Sequence, residues 1–220
     1  MKAPALACIA AVMALSAAAI AAPDLTPVKK WVERQSGIKT LQAKFSQSRQ
    51  LKTVKKPLQS SGRIWYSAPG SIRWQSGDPA KTIAIVKPGG DLTVLHADKG
   101  EAEIFTRKDL EERSDGMGVA FLESGFPRNF EEFTKRFEVT EVEKTGDYYQ
   151  VDARLAEGAN PVLRKMVFFV HDGSWMLGGI HFYFRDGSRV ESTFSEITEN
   201  KPIDGALFTP DLKGYKVKKN

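Results

Sequence analysis

The residues that most often carry out catalysis show no recognisable arrangement in this chain. Its three histidines, His96, His171 and His181, lack the spacing of metal ligands, and the H-E-x-x-H, G-x-S-x-G and glycine-rich phosphate motifs are absent. The carboxylate pairs Glu111-Glu112 and Glu131-Glu132 fall on predicted helix surfaces, where acidic side chains are usually solvated. We therefore predict no metal, no cofactor and no enzyme activity, while an esterase triad assembled from distant residues stays open.

Large apolar side chains are concentrated in a short hairpin, SGRIWYSAPGSIRWQ, at residues 61–75. Successive side chains of a strand point to opposite faces, so Trp65 and Tyr66 must lie on different faces of the sheet. An antiparallel sheet with one face in water would alternate apolar with polar residues. The hairpin thus predicts either a sheet covered by protein on both faces or a face that borders a cavity for an apolar ligand.

Two later strands each place three apolar residues on one face: Met166, Phe168 and Val170, and Ile180, Phe182 and Phe184. One interpretation is an ordinary core, in which a curved sheet packs on helices. The other is a half-barrel whose concave face stays partly empty, since small barrels can enclose an apolar ligand. Each methylene removed from water contributes about 0.8 kcal/mol, so one acyl chain would contribute on the order of ten kcal/mol.

The elements that would position these side chains are mostly strands joined by short turns. A first helix is predicted at residues 24–36, with Thr26 as its cap and Gly37 at its end. Further helices are predicted at residues 118–123 and 129–136. Strands are predicted at residues 41–51, 58–67, 71–76, 81–87, 91–97, 138–143, 148–155 and 215–218, with a meander at 164–197. We expect an α+β fold that is mainly antiparallel β.

The N-terminal segment, MKAPALACIAAVMALSAAAIAA, has the layout of a secretory signal peptide: one lysine, an apolar run and a tail of small residues. We predict that residues 1–21 are removed and that residues 22–220 form a single domain, with an uncleaved anchor as the alternative. The chain's only cysteine, Cys8, lies in the removed segment, too near the N-terminus to be an acylation site. The mature domain would therefore contain no disulfide.

The formal net charge is +5, and the basic residues are scattered apart from a C-terminal group, Lys213, Lys216, Lys218 and Lys219. Such a group is more typical of a solvated chain end than of a nucleic-acid site. A mildly basic exported protein would be attracted weakly to anionic membrane surfaces. We predict no nucleic-acid partner.

Several short motifs follow one another along the chain. Residues 41–47 read LQAKFSQ, residues 62–65 GRIW, residues 69–74 PGSIRW, and residues 79–90 carry Pro, Val and Gly at the ends of a hairpin. Residues 200–215 read NKPIDGALFTPDLKGY. In this order the segments resemble the F-x-Q strand, the G-x-h-W, proline and h-x-W elements, the P-x(n)-h-V-x-x-G hairpin and the closing N-x-x-h-x-x-x-x-F-x-h-x-x-P-x-G signature of the LolA family, where h is a bulky apolar residue. The resemblance spans nearly all of the predicted mature chain.

The resemblance implies an incomplete, half-open β-barrel whose concave apolar face is covered by helices and binds acyl chains. Ile72 falls where the family has a bulky apolar residue of the lid and cargo region, and Trp74 matches its tryptophan. We expect the cavity to be lined by Trp31, Phe45, Ile64, Ile72, Trp74, Ile85, Phe121, Phe168 and Phe182.

The resemblance also implies a monomeric periplasmic carrier that ferries the acyl chains of lipoproteins from the inner to the outer membrane. Its implied partners are the acylated lipoprotein or lipid cargo, an inner-membrane ABC-type release complex and a LolB-like outer-membrane acceptor.

One position departs from the family pattern. The family typically has an arginine just before the turn proline, which latches the lid helices, whereas this chain has Ala68 there. Arg73 is the nearest candidate for a latch. A divergent member that carries another lipid or a glycolipid, and a sensor or interaction module on the same scaffold, therefore stay open as alternatives.

Overall fold

The computed structural model describes residues 22–106, 108, 127, 129–155 and 162–219. They include two α-helices, α1 (Thr26–Ser36) and α2 (Phe130–Arg136), and a 3-10 turn (Gly205–Phe208). They also include twelve strands: β1 (Thr40–Gln50), β2 (Leu58–Ser67), β3 (Ser71–Ser76), β4 (Thr82–Val86), β5 (Leu92–His96), β6 (Glu101–Phe105), β7 (Phe137–Thr145), β8 (Tyr148–Leu155), β9 (Leu163–His171), β10 (Leu177–Phe184), β11 (Arg189–Glu199) and β12 (Lys216–Lys219). The predicted signal segment, the helix predicted at 118–123 and Phe121 lie outside the described residues.

The strands form one sheet in the order β12-β6-β5-β4-β3-β2-β1-β11-β10-β9-β8-β7. Neighbouring strands are antiparallel except β12 and β6, which run parallel. Within the described chain the edge strands β12 and β7 do not pair with each other, so the sheet stays open. The predicted α+β class with a half-open, mainly antiparallel barrel is confirmed.

Two details of the predicted elements need correction. The sequence did not predict β6, which contains two glutamates in five residues and is held as a strand by β5 on one side and β12 on the other. Thr26 is not the cap of α1 but its first residue, and its backbone N–H donates a hydrogen bond to Asp24 Oδ1 at 2.9 Å. Pairing with neighbouring strands makes β6 a strand. At the start of α1, the hydrogen bond to Asp24 includes Thr26 in the helix.

Both helices pack on the concave face of the sheet. In α1, Val28, Trp31 and Val32 fall on one stripe and are fully buried, because they recur at helical spacing. In α2, Asn129 caps the N-terminus by accepting a hydrogen bond from the Glu132 N–H at 2.8 Å, and Phe133 is buried.

A C-terminal segment of the chain covers the convex face of the sheet over β4, β5 and β6. Ile83, Ile85, Leu95 and Ala102 form a cluster with Leu212 and Tyr215 of the C-terminal strap, which we define as residues 200–215. Side chains of the hairpin at residues 61–75 are buried on both faces of the sheet. Tyr66 packs in a cluster on the concave face, and Trp65 lies on the convex face, where its indole Nε1 donates to Gln42 Oε1 at 3.1 Å.

No helix within the described residues is long and apolar enough to cross a membrane.

Candidate functional site

A cavity of 490 Å³ lies on the concave face, between two walls of the curved sheet. One wall is built from β3, β4 and β5 and the other from β10 and β11, which lie on opposite sides of β1 and β2 in the strand order. The first wall contributes Trp74, Ala84, Leu92 and Val94, and the second contributes Phe182, Phe184 and Val190. We call this region the cavity side of the concave face. Its size falls in the range of about 300–1,000 Å³ that is usual for ligand sites.

The pairing register of the strands explains why the lining side chains all lie on the concave face. Trp74 is paired with Ala84 and Ala84 with Val94, so the three side chains form a row across β3, β4 and β5. Phe182 is paired with Val190 in the same way. The small side chain of Ala84 at the centre of the first row leaves room in front of it, which contributes to the empty volume.

Trp74 is held by another aromatic ring on the same face of the sheet. The Phe45 and Trp74 ring centroids lie 4.3 Å apart, and Phe45 itself is buried. Phe45 is paired with Gly62 on β2, where an added Cβ would lie 1.9 Å from the carbonyl oxygen of Gln75 and 2.9 Å from the Phe45 ring. Gly62 therefore allows β2 and β3 to approach closely beneath the ring, which explains the glycine of the GRIW motif.

One end of the cavity is polar and is formed by Gln47, Arg49, Asp186 and Ser188, which we call the polar end. Asp186 accepts two hydrogen bonds from Ser188, from the backbone N–H at 2.8 Å and from Oγ at 3.0 Å. These bonds, with a smaller contribution from the charge of Lys52, hold the pKa of Asp186 below its ordinary value. The carboxylate is thus already satisfied by its own turn.

The neighbouring part of the concave face, which we call the packed side, lies beneath the helices and is filled. Trp31 of α1 contacts Phe133 of α2 and Phe168 of β9, with ring centroids 5.3 Å and 4.9 Å away. Phe137 completes the group at 5.0 Å from Phe133. The ion pair between Arg34 and Glu199 fixes α1 to β11. The packed side is a conventional aromatic core.

The predicted lining residues are divided among several places. Trp74 and Phe182 line the cavity, and Phe45 supports Trp74. Ile64 and Ile72 share the concave face with them but are buried in the cluster around Tyr66, whereas Trp31 and Phe168 belong to the packed side. Phe121 lies outside the described residues.

Ile85 and Arg73 need correction, because the alternation of their strands turns them to the convex face. Ile85 packs beneath the C-terminal strap and is separated from the cavity by the sheet. Arg73 donates from Nη1 to the Leu207 carbonyl at 3.2 Å and lies 5.7 Å from the Trp65 ring, so it fastens the strap rather than a helix of the concave face. Burial lowers the pKa of Arg73.

The sequence did not identify most of the lining. Ala84, Leu92, Val94 and Val190 are ordinary strand residues, and Arg49 and Ser188 carry no motif. The alternation of β5 and β11 places Val94 and Val190 on one face of each strand, but only the pairing register shows that these faces border the same space.

The histidines are far from forming one site. His96 lies 3.4 Å from Glu103, His171 packs on Tyr148 with ring centroids 4.1 Å apart, and His181 packs on Phe169 at 4.5 Å. Burial lowers the pKa of His181. Among the residues with described positions, no three His, Cys, Asp or Glu side chains are grouped closely enough to hold a metal ion.

Comparison with known proteins identifies the family. The profile of the family described as outer membrane lipoprotein carrier protein LolA matches residues 36–211, which is most of the chain. The chain therefore belongs to the LolA family, as its motifs predicted.

Individual relatives are more distant. The chain is 28% identical over 173 residues to the outer-membrane lipoprotein carrier protein of Legionella pneumophila (strain Corby), covering 79% of each chain. It is 25% identical over 170 residues to the protein of the same name from Dechloromonas aromatica (strain RCB), covering 77% of this chain and 76% of that one. A solved structure of an uncharacterized conserved protein from Thermus thermophilus shares the fold, with a TM-score of 0.53 at 7% identity over 88% of this chain and 99% of the other.

Proposed function

We propose that this protein is a non-catalytic periplasmic carrier that holds an acyl chain in the cavity and ferries its lipoprotein cargo from the inner to the outer membrane. The observation that carries the proposal is the apolar cavity between the two walls. Membership of the LolA family and two relatives named as outer-membrane lipoprotein carrier proteins support it. The part of an acyl chain that contacts the apolar walls would be removed from water, with a gain of about 0.8 kcal/mol for each buried methylene.

The cellular setting of the proposal rests on the sequence. The signal-peptide pattern of residues 1–21, followed by one domain at residues 22–220, supports export to the periplasm. Since the chain has no nucleotide-binding motif, the energy for loading and release would come from its partners. Those partners would be an inner-membrane ABC-type complex that supplies the cargo and a LolB-like acceptor at the outer membrane that receives it.

Movement of cargo requires two states of the protein with different affinity for it. Because Ala68 stands in place of the family's latch arginine and Arg73 binds the strap instead, closure would depend on other contacts of α1, such as the ion pair of Arg34 with Glu199. The cargo of this member is a lipoprotein or another acylated lipid.

The test is to fill the cavity without unfolding the sheet. Ala84→Phe places a ring in the centre of the first wall, and we expect it to reduce the affinity for a fluorescent acyl probe at least tenfold. Ser46→Phe is the matched control, since Ser46 is exposed on the opposite face of β1. Equal affinity of both variants and the unmodified protein would contradict the proposal.

A second candidate function is a sensor or interaction module that carries no lipid. The packed side favours it, because there the interior is already filled by Trp31, Phe133 and Phe168. Failure of the folded, unmodified protein to bind any acyl probe would support this second function and exclude the first.

A further inference from the structure

The cavity differs in chemistry along its length. Its walls are apolar, and its polar side chains are gathered at the end where β1 leaves the sheet and where β10 turns into β11. A site that is apolar along its walls and polar at one end matches an amphiphile, with a hydrocarbon chain inside and a head group at the polar end.

The volume limits the number of chains. A methylene group occupies about the volume of a water molecule, ~30 Å³, so the cavity of 490 Å³ has room for roughly sixteen such groups. This is about the volume of one long acyl chain, so the cavity matches one chain more closely than two or three.

The charge at the polar end selects the head group. Arg49 lines the cavity with its side chain exposed, and among the described residues its one side-chain hydrogen bond is a long contact of 3.4 Å from Nη2 to Gln47 Oε1. Most of its guanidinium donors are therefore available to a ligand. A guanidinium is well suited to a carboxylate or phosphate, which it can bind through two parallel hydrogen bonds.

The one acidic group of the polar end is already engaged. Both carboxylate oxygens of Asp186 accept from Ser188, and the Ser188 Oγ also accepts from the Lys52 N–H at 3.2 Å. Lys52 adds a second positive charge next to Asp186, and Lys55 and Lys56 follow on the exposed connection between β1 and β2. The end of the cavity thus carries more positive than negative charge.

The rim beside Arg49 is apolar. Leu58 is paired with Arg49 across β1 and β2, so both side chains lie on the concave face, and Leu58 is 50% exposed. Val190, on the other neighbouring strand, is also paired with Arg49. The guanidinium is thus flanked by apolar groups that would contact the first methylenes of a chain whose head binds Arg49.

We propose that the cavity binds a single-chain amphiphile with an anionic head group, whose carboxylate or phosphate pairs with Arg49 while the chain lies between Trp74 and Phe182. The proposal rests on the proposed function in the form in which the cargo is an acylated lipid other than a lipoprotein, and it names the class of that lipid. The head-group end is a second recognition element beside the apolar walls, and it fixes the direction in which the chain enters.

The test uses four ligands with the same twelve-carbon chain: dodecanoic acid, dodecyl phosphate, 1-dodecanol and dodecyltrimethylammonium. Titration calorimetry at neutral pH with the full protein measures each affinity. We expect one or both anions to bind about tenfold more tightly than 1-dodecanol, since hydrogen bonds to charged groups are stronger than neutral ones but are weakened at an exposed rim. The cation is expected to bind most weakly.

The substitution Arg49→Gln separates the contribution of the head group to binding from the contribution of the hydrocarbon chain. The variant should lose most of the preference for the anions and keep the affinity for 1-dodecanol. Added salt should weaken the binding of the anions more in the unmodified protein than in the variant. Arg63→Gln is the matched control, because Arg63 is exposed on the opposite face of β2, next to the buried Ile64 of the concave face.

The outcomes distinguish the two proposals. If none of the four ligands binds, the proposed function itself fails. If all bind with no preference for an anion, or if Arg49→Gln leaves the preference intact, the cavity binds chains and the head-group inference is overturned. Preference for the cation would also overturn it and assign the head-group contact to Asp186. The ratio of the affinities for dodecyl phosphate and dodecanoic acid distinguishes the two sources of the anion. Tighter binding of the phosphate indicates a phospholipid-derived ligand, and tighter binding of the carboxylate indicates a free fatty acid.

Discussion

The packed side and the cavity side lie on the same face of one sheet, and both are lined with aromatic rings. On the packed side Trp31 closes the space between the helices and Phe168, whereas on the cavity side Trp74 packs on Phe45 and also borders empty space. The strands of the two sides do not differ in character. The difference lies in the cover, since α1 and α2 bring Trp31 and Phe133 to one side, and neither of these helices contributes a residue to the lining of the cavity.

An aromatic-rich sheet face is therefore neither core nor binding site by itself. A fully buried ring contributes to the stability of the folded state, while a ring that borders a void loses part of its packing and can regain it with a ligand. The two sides should respond differently to the same substitution.

Truncation of the two tryptophans gives the largest expected contrast. Trp31→Ala should lower the free energy of unfolding by about 4 kcal/mol, as is typical of buried aromatic residues, and Trp74→Ala by about half as much. Trp74→Ala should in addition weaken the binding of an acyl probe, because Trp74 forms part of the wall. Urea unfolding curves and probe titrations measure the two effects. Equal losses of stability would show that the two sides are packed alike.

The glycine beneath the Phe45 ring gives the next largest effect. Gly62→Ala should cost about 3 kcal/mol, because the added Cβ would overlap the Gln75 carbonyl and β2 and β3 would have to separate. Gly205→Ala is the control, since a Cβ at Gly205 meets no atom within 4 Å. Thermal unfolding of the two variants measures the difference. A small effect at Gly62 would mean that the sheet is not constrained beneath Trp74.

The interface of α1 contains a polar defect that can be removed. Within the described part of the chain, the buried Gln35 Oε1 has no hydrogen-bond partner, and neither has the Trp31 Nε1 one turn away. Gln35→Leu should stabilise the protein by about 1 kcal/mol, since an unsatisfied buried acceptor is costly. Glu33→Leu, on the exposed side of α1, should leave the stability nearly unchanged. If Gln35→Leu destabilises the protein, Gln35 Oε1 accepts a hydrogen bond in solution and is not an unsatisfied acceptor.

The polar end gives the smallest and most local effect. Since hydrogen bonds from Ser188 depress the pKa of Asp186, the charged carboxylate favours the folded state above the unfolded pKa of about 3.9. That contribution is lost as the pH falls through the lower folded pKa. Ser188→Ala removes the Oγ donor and should raise the pKa of Asp186 towards its ordinary value. An NMR titration of the carboxyl carbon measures the shift, and an unchanged pKa would assign the depression to the backbone N–H alone.

Several features could be predicted because they depend on neighbours in sequence. The stripe of Val28, Trp31 and Val32 predicted α1, and Asn129 lies at the start of a helix that it caps through its own side chain. The alternation around Trp65 and Tyr66 predicted opposite faces for them, and each side chain is buried on its own face. Each of these features depends on the spacing of residues that are close together in the chain, and that spacing can be read from the sequence.

The remaining features depend on contacts between distant segments. The sequence by itself determined the family motifs, the alternation of the strands and the apolar character of the concave face. Only the tertiary structure decided that Trp74 borders a void while Trp31 fills one, that Ile85 and Arg73 belong to the strap, and that Arg49 stands at the end of the cavity. The physical reason is that alternation assigns a residue to one of two faces, whereas pairing register, sheet curvature and helix position decide what lies opposite that face.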